Sequence, residues 1–146
     1  MWIIVILIIG IVIFVIWAAA ATRNGASRKE ARRILYKADR TVRCDGLYQR
    51  QVEGYSSYFR FFPDGRVVDV SSTGTPVQVI RWLDHDYKNN GIYTIKNRKI
   101  KFTTTSPMGS VDYNGKILKE DVLKLNLRSH INGHTEKHVK YSFYRC

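Results

Sequence analysis

The chain has 146 residues, with 24 lysines and arginines against 12 aspartates and glutamates, for a formal net charge of +12. Such a charge raises the question of nucleic acid, but no nucleic-acid-binding motif accompanies it. No Ser-His-Asp set, paired-carboxylate spacing or phosphate-cradling glycine loop is present either, so the composition argues against an enzyme as well.

The first element is apolar. From Trp2 to Ala21 every residue is Ile, Val, Leu, Phe, Trp, Ala or Gly, and the first charge is Arg23. A run this long spans a bilayer as one helix. A secretory signal peptide carries Lys or Arg before a shorter core. Here none precedes Trp2, although Ala18 to Ala21 mimic a cleavage site. Trp2 and Trp17, ~22 Å apart at helical rise, suit the two interfaces. A buried core helix is the other reading, and the β-rich remainder is too small to cover a helix apolar on every face. Residues 1–22 are therefore predicted to form a transmembrane helix.

The next segment, 23–43, is basic. Arg23, Arg28, Lys29, Arg32, Arg33, Lys37, Arg40 and Arg43 face only Glu30 and Asp39, a net +6. Positive residues flanking a span stay on the cytoplasmic side. This predicts a single-pass protein of the inner or plasma membrane, N-terminus out and C-terminal domain in the cytoplasm. Ala31, Ile34, Leu35 and Ala38 follow helical spacing, and Ser27 with Glu30 makes a capping box. A helix over 27–40 is expected to lie on anionic lipid headgroups through Arg23, Arg28, Lys29, Arg32, Arg33 and Lys37, each contributing ~1 kcal/mol. A solvated spacer is the alternative.

Residues 44–146 read as short alternating strands with turn signals roughly every 8–12 residues, the mark of an antiparallel sandwich or barrel. Strands are predicted at 46–52, 56–62, 66–72, 91–96, 99–105, 110–118, 122–130 and 135–145. Thr75-Pro76 starts a helix expected over 76–86, with Val79, Trp82 and Leu83 on one face. Register tests the hairpins. A two-residue Asn97-Arg98 loop pairs Ile95 with Ile100 and Tyr93 with Phe102. A three-residue Pro63-Asp64-Gly65 loop pairs Phe61 with Val67 and Phe59 with Asp69. It also leaves Tyr58, Arg60 and Phe62 on a second apolar face, which the 76–86 helix would cover. For the last hairpin, a three-residue Ile131-Asn132-Gly133 loop with Gly133 in the left-handed region faces Leu125 with Val139 and Leu123 with Tyr141.

The stretches Gly46-Leu47-Tyr48, Tyr58-Phe59-Arg60-Phe61-Phe62-Pro63-Asp64-Gly65-Arg66-Val67 and Ser72-Thr73-Gly74 resemble small lipocalin-like (calycin-type) barrels of uncharacterised bacterial membrane-anchored proteins. The strand–PDG–strand hairpin is also similar to one in the C-terminal domain of F-box-only-type proteins. The resemblance implies an eight-stranded up-and-down barrel over 44–146 and carries over no catalytic residue. In such a barrel the first strand pairs with the last. The interior would be built from Phe59, Phe61, Tyr93, Ile95, Ile100, Phe102, Leu123, Leu125, Tyr141 and Phe143.

Candidate sites follow from that arrangement. Tyr48, Phe59, Phe61, Tyr93, Phe102, Tyr113 and Tyr141 would enclose a small apolar ligand or lipid, with Asp69 as an inward carboxylate that orients it or pairs with a core Tyr or Arg145. A barrel packed solid is the other outcome. His130 and His134 would face each other across the last hairpin, outward with His138, and two exposed histidines make a poor metal site. No metal and no cofactor are therefore expected. Cys44 and Cys146 bracket the domain. An exported domain would join them in a disulfide, whereas a cytoplasmic one would keep them reduced. The expectation is a membrane-anchored, non-enzymatic binding module. A structural or protein-docking envelope protein with a filled barrel is the alternative.

Overall fold

Residues 41–119 and 121–146, with Glu30, are described by the computed structural model. The span at 1–22 and the helix at 27–40 lie outside the described residues, apart from Glu30. Among the described residues no helix is long and apolar enough to cross a membrane.

The alternating runs form β1 (Gly46–Val52), β2 (Tyr55–Phe61), β3 (Arg66–Ser72), β4 (Asn90–Lys96), β5 (Lys99–Ser106), β6 (Gly109–Ile117), β7 (Val122–Ser129) and β8 (Thr135–Arg145). Each pairs antiparallel with the next, and β1 pairs with β8 through Tyr48 opposite Phe143, so the sheet closes into a barrel. Closure leaves no edge for another chain to extend. Ile95 faces Ile100 and Tyr93 faces Phe102, as the alternation requires. The two-residue turn places Asn97 and Arg98 at φ 50° and 64°, the primed geometry that matches strand twist. Phe61 faces Val67 and Phe59 faces Asp69 across the three-residue loop, where Gly65 takes φ 94°.

One face of every strand points into the barrel. All ten expected interior residues are there. Phe59, Phe61, Ile100, Phe102, Leu123, Leu125 and Tyr141 are buried, and Tyr93, Ile95 and Phe143 pack against them. The backbones approach closely where β4 meets β5 and where β6 meets β7. A Cβ on Gly91 or Gly115 would collide with the carbonyl oxygen of Thr103 or Lys124 on the adjoining strand. Only glycine permits so close a backbone approach.

One end of the barrel is plugged by the chain leading into β1. Val42 is buried in the core cluster. The Arg43 N–H donates to the Tyr48 hydroxyl at 3.0 Å, and the Arg43 guanidinium lies 4.3 Å from the centre of the Phe143 ring. It also pairs with Asp45 at 2.6 Å and with Asp121 in the β6–β7 turn at 3.0 Å.

The outer apolar face is covered by the β3–β4 connection, where α1 spans only Pro76–Val79. The helix expected over 76–86 is thus shorter than its apolar pattern suggested. Thr75 caps it, its hydroxyl accepting from the Gln78 N–H at 3.4 Å, while Gln78 Oε1 accepts from the Thr75 N–H at 2.9 Å. After Val79 the carbonyls of Ile80 and Leu83 accept from the Arg60 guanidinium, at 3.3 and 2.7 Å, instead of from a continuing helix. Val79 and Leu83 are buried with Leu47, Tyr58 and Val68. Trp82 is 44% exposed and lies against Tyr87, so it does not share their buried face.

The last hairpin departs from the expected loop. Leu125 faces Val139 and Leu123 faces Tyr141, as expected, but Leu127 faces Glu136 and Arg128 faces Thr135. The extra residue is therefore not in the turn. It is His138, a bulge at φ 61° whose N–H donates to Asn126 Oδ1 at 2.9 Å. The Ser129 N–H donates to the His134 carbonyl at 2.8 Å across the turn, so the loop has four residues, His130 to Gly133.

Candidate functional site

The bulge at His138 decides what the open end of the barrel looks like. A strand presents alternate residues to alternate faces, and one extra residue reverses that order beyond it. Glu136 and His134, placed outward by uninterrupted alternation, therefore turn inward at the mouth. There they meet Arg50, which follows Tyr48 by two positions on the inner face of β1. Arg50 Nη2 forms an ion pair with Glu136 Oε2, and His134 Nε2 lies 3.1 Å from Glu136 Oε1. The Arg50 hydrogen bond holds the Glu136 carboxyl below its usual range, and the same bond raises Arg50. The Ser57 and Tyr141 hydroxyls lie 3.2 Å apart just inside. These groups surround a cleft of about 320 Å³ whose lining also includes Tyr113 and Leu127.

Below the mouth, ring packs on ring. Phe59 lies 4.6 Å from Tyr141, 4.9 Å from Tyr113 and 5.2 Å from Phe102, centre to centre. Phe102 stacks on Tyr113 at 4.8 Å. Phe61 meets Tyr48 at 5.4 Å and Tyr93 at 5.1 Å. The seven aromatic residues expected to line a ligand site thus form one contact network. Edge-to-face pairs of this kind add ~0.5–1.5 kcal/mol each beyond area burial. The cleft of about 320 Å³ lies at the mouth, against Tyr113 and Tyr141. Burial pushes the Tyr48 hydroxyl up to about 12 and raises Tyr113 and Tyr141 as well.

Asp69 faces inward, as expected. Its Oδ2 accepts from the Thr104 hydroxyl at 3.0 Å and lies 3.4 Å from the Tyr113 hydroxyl, so its partner is a core Tyr. Arg145, the other candidate partner, bonds Asp45 at 3.1 Å instead. Asp69 is half-buried and lines a small cleft of about 70 Å³. Burial pushes it up to about 6, against the lowering effect of the Thr104 and Tyr113 hydrogen bonds.

The histidines are not brought together. His130 Nε2 lies 2.7 Å from Asp112 Oδ2 on the outer face, apart from His134 at the mouth. Among the described residues no group of three or more metal-binding side chains is present. Both cysteines are free thiols. Cys44 packs against the interior cluster, whereas Cys146 is exposed. The basic residues proposed for the membrane surface, Arg23, Arg28, Lys29, Arg32, Arg33 and Lys37, lie outside the described residues.

Arg50, Ser57, His134 and Glu136 were missed as site residues. Arg50 and Ser57 carried a signal, since each sits two positions from a recognised interior aromatic. His134 and Glu136 carried none, because nothing in the chain marks the bulge that turns them inward. No family model matches this chain, and no curated protein or solved structure does so either.

Proposed function

We propose that the chain is a membrane-anchored, non-enzymatic binding module whose barrel takes a small amphipathic ligand at its open mouth. In this reading residues 1–22 span the inner or plasma membrane, residues 23–43 meet anionic headgroups, and the barrel faces the cytoplasm. The observation that carries it is the convergence of Arg50, Glu136, His134, Ser57 and Tyr141 on one cleft at the unplugged end. Few convergent polar groups above an apolar floor are the usual form of a small-molecule site. An apolar part would rest on Leu127, Tyr113 and Tyr141. A charged or polar part would exchange with the Arg50–Glu136 pair. Ring-to-ring packing of the interior supports a second reading, a structural or partner-docking protein with a filled barrel.

Native mass spectrometry of the full chain, purified in detergent micelles, separates the two. The binding reading expects a retained small molecule, lost when Arg50→Met and Glu136→Gln remove both charges together. A bare chain in every preparation, with the barrel folded, would leave the filled-barrel reading.

A further inference from the structure

We infer that the outer wall of the barrel carries a docking surface for anionic phospholipid headgroups, built from five lysines that the ladders place in one row. Lys96 faces Lys99, Lys99 faces Lys116, Lys116 faces Lys124, and Lys124 faces Lys140. The row crosses β4 to β8 without interruption. Like charges directly opposite one another destabilise a sheet. An ordinary solvated face mixes signs and avoids that cost, and this one does not. Lys96, Lys99, Lys116 and Lys140 are exposed and Lys124 is half-buried. Among the described residues none of the five has an ion-pair partner. Nearby outward carboxylates are engaged elsewhere: Asp112 by Thr103 and His130, and Asp121 by Arg43.

The surface is also shaped. Beside the row the wall dips into a depression of about 420 Å³, lined by Lys96, Lys99, Lys101 and Lys116 with Asn114 and Asn126. Gly115 is part of this lining, at the point where β6 and β7 approach too closely for a side chain. Ammonium groups around a hollow with amide donors on its wall suit a phosphate-bearing headgroup.

Position favours a membrane over a nucleic acid. The row starts at the Asn97-Arg98 turn, where the Arg98 carbonyl accepts from the Ile117 N–H at 2.8 Å. It passes the β6–β7 turn that Arg43 holds through Asp121. This is the end at which the chain enters the barrel. The 18 residues from 23 to 40 separate that entry from the apolar run, a reach of at most about 60 Å. The inference rests on reading residues 1–22 as a membrane span. Non-specific nucleic-acid grooves interleave aromatic rings for base stacking. The next outward row here is Thr94, Lys101, Asn114 and Asn126, ending on β8 at the His138 bulge, with no Phe, Tyr or Trp among them.

The test uses the full chain with two kinds of vesicle, phosphatidylcholine alone and phosphatidylcholine with phosphatidylserine as a minor component. Flotation reports attachment, and acetylation read by mass spectrometry reports each lysine. The five lysines of the row should label roughly fivefold more slowly on the phosphatidylserine vesicles, the effect expected of an ammonium held at an anionic surface. High salt should abolish the difference, and the exposed Lys88, off the row, should label equally on both. Equal labelling of the row on the two vesicles overturns the inference. Failure to float with phosphatidylcholine alone overturns the membrane-span reading separately, and labelling on phosphatidylserine vesicles still decides the row. Protection by a single-stranded oligonucleotide, and not by phosphatidylserine, would assign the row to nucleic acid and overturn the lipid reading.

Discussion

At Asp69 two hydroxyls, and no cation, hold a carboxylate inside the barrel. Its pKa is raised from 3.8 to about 6 because burial disfavours the charged form. Between those values the folded chain keeps a proton that the unfolded chain has released. Stability therefore falls as pH rises from about 4 to about 6, a loss on the order of 2 kcal/mol. Asp69→Asn keeps an acceptor for Thr104 and Tyr113 and removes the charge. Denaturant titrations should find this variant more stable than the parent at neutral pH and equal to it near pH 4. A parent-minus-variant difference that stays flat across that range would mean the carboxylate is better solvated than its surroundings imply. Inward and outward faces are testable one position apart. Phe102 is 2% exposed and touches Phe59, Phe61 and Tyr113. Phe102→Ala should cost ~3–5 kcal/mol, the range for emptying an aromatic core site. Lys101 is exposed, and Lys101→Ala should change stability by less than ~0.5 kcal/mol.

The two elements that shape the site and its wall are both local departures from a regular ladder. His138 holds φ 61°, a conformation that crowds the Cβ of an L-residue and most of all a β-branched one. His138→Val should cost ~2 kcal/mol, whereas His138→Gly should shift stability by less than ~1 kcal/mol, relief of strain offsetting the added freedom of the unfolded chain. Equal costs in thermal unfolding would mean that the bulge tolerates either backbone geometry. At Gly115 the constraint is contact with the next strand. An added Cβ would collide with the Lys124 carbonyl oxygen and lie 2.8 Å from the Leu125 Cα, both backbone atoms that cannot turn aside. Gly115→Ala should therefore destabilise the barrel by ~1–3 kcal/mol, the usual cost of overpacking.

For the whole molecule the distribution of charge relative to the apolar run makes the strongest prediction. Eight Lys and Arg follow Ala21 before Cys44. A reporter active only outside the cytoplasm, fused after Cys146, should be silent. Activity from that fusion would place the barrel outside the cytoplasm. The free thiols bear on the same question, because Cys44 packs inside the barrel end while Cys146 is exposed at its rim. A disulfide between them would need Cβ atoms ~3.8 Å apart and facing each other.

What the amino-acid order determined by itself was the set of eight strands and the face each turns inward. Strict alternation identifies inward residues, and matching of apolar faces across Asn97-Arg98 and Pro63-Asp64-Gly65 leaves one register for each hairpin. A one-residue slip would expose the whole inner face, so these local facts suffice. They reach as far as the aromatic interior and Asp69 beside Phe59, whereas the pairing of β1 with β8 followed from the barrel that the resemblance implied. The tertiary structure alone decided what depends on a single irregular residue or on distant strands meeting. His138 carries no mark of a bulge, yet it turns Glu136 toward Arg50, a residue 86 positions earlier in the chain. The helix ends at Val79, and beyond it the carbonyls of Ile80 and Leu83 accept from Arg60 of β2. The five lysines read singly as an ordinary solvated face. Only the ladders from β4 to β8 align them, because register accumulates across four hairpins and no one stretch of sequence records the sum.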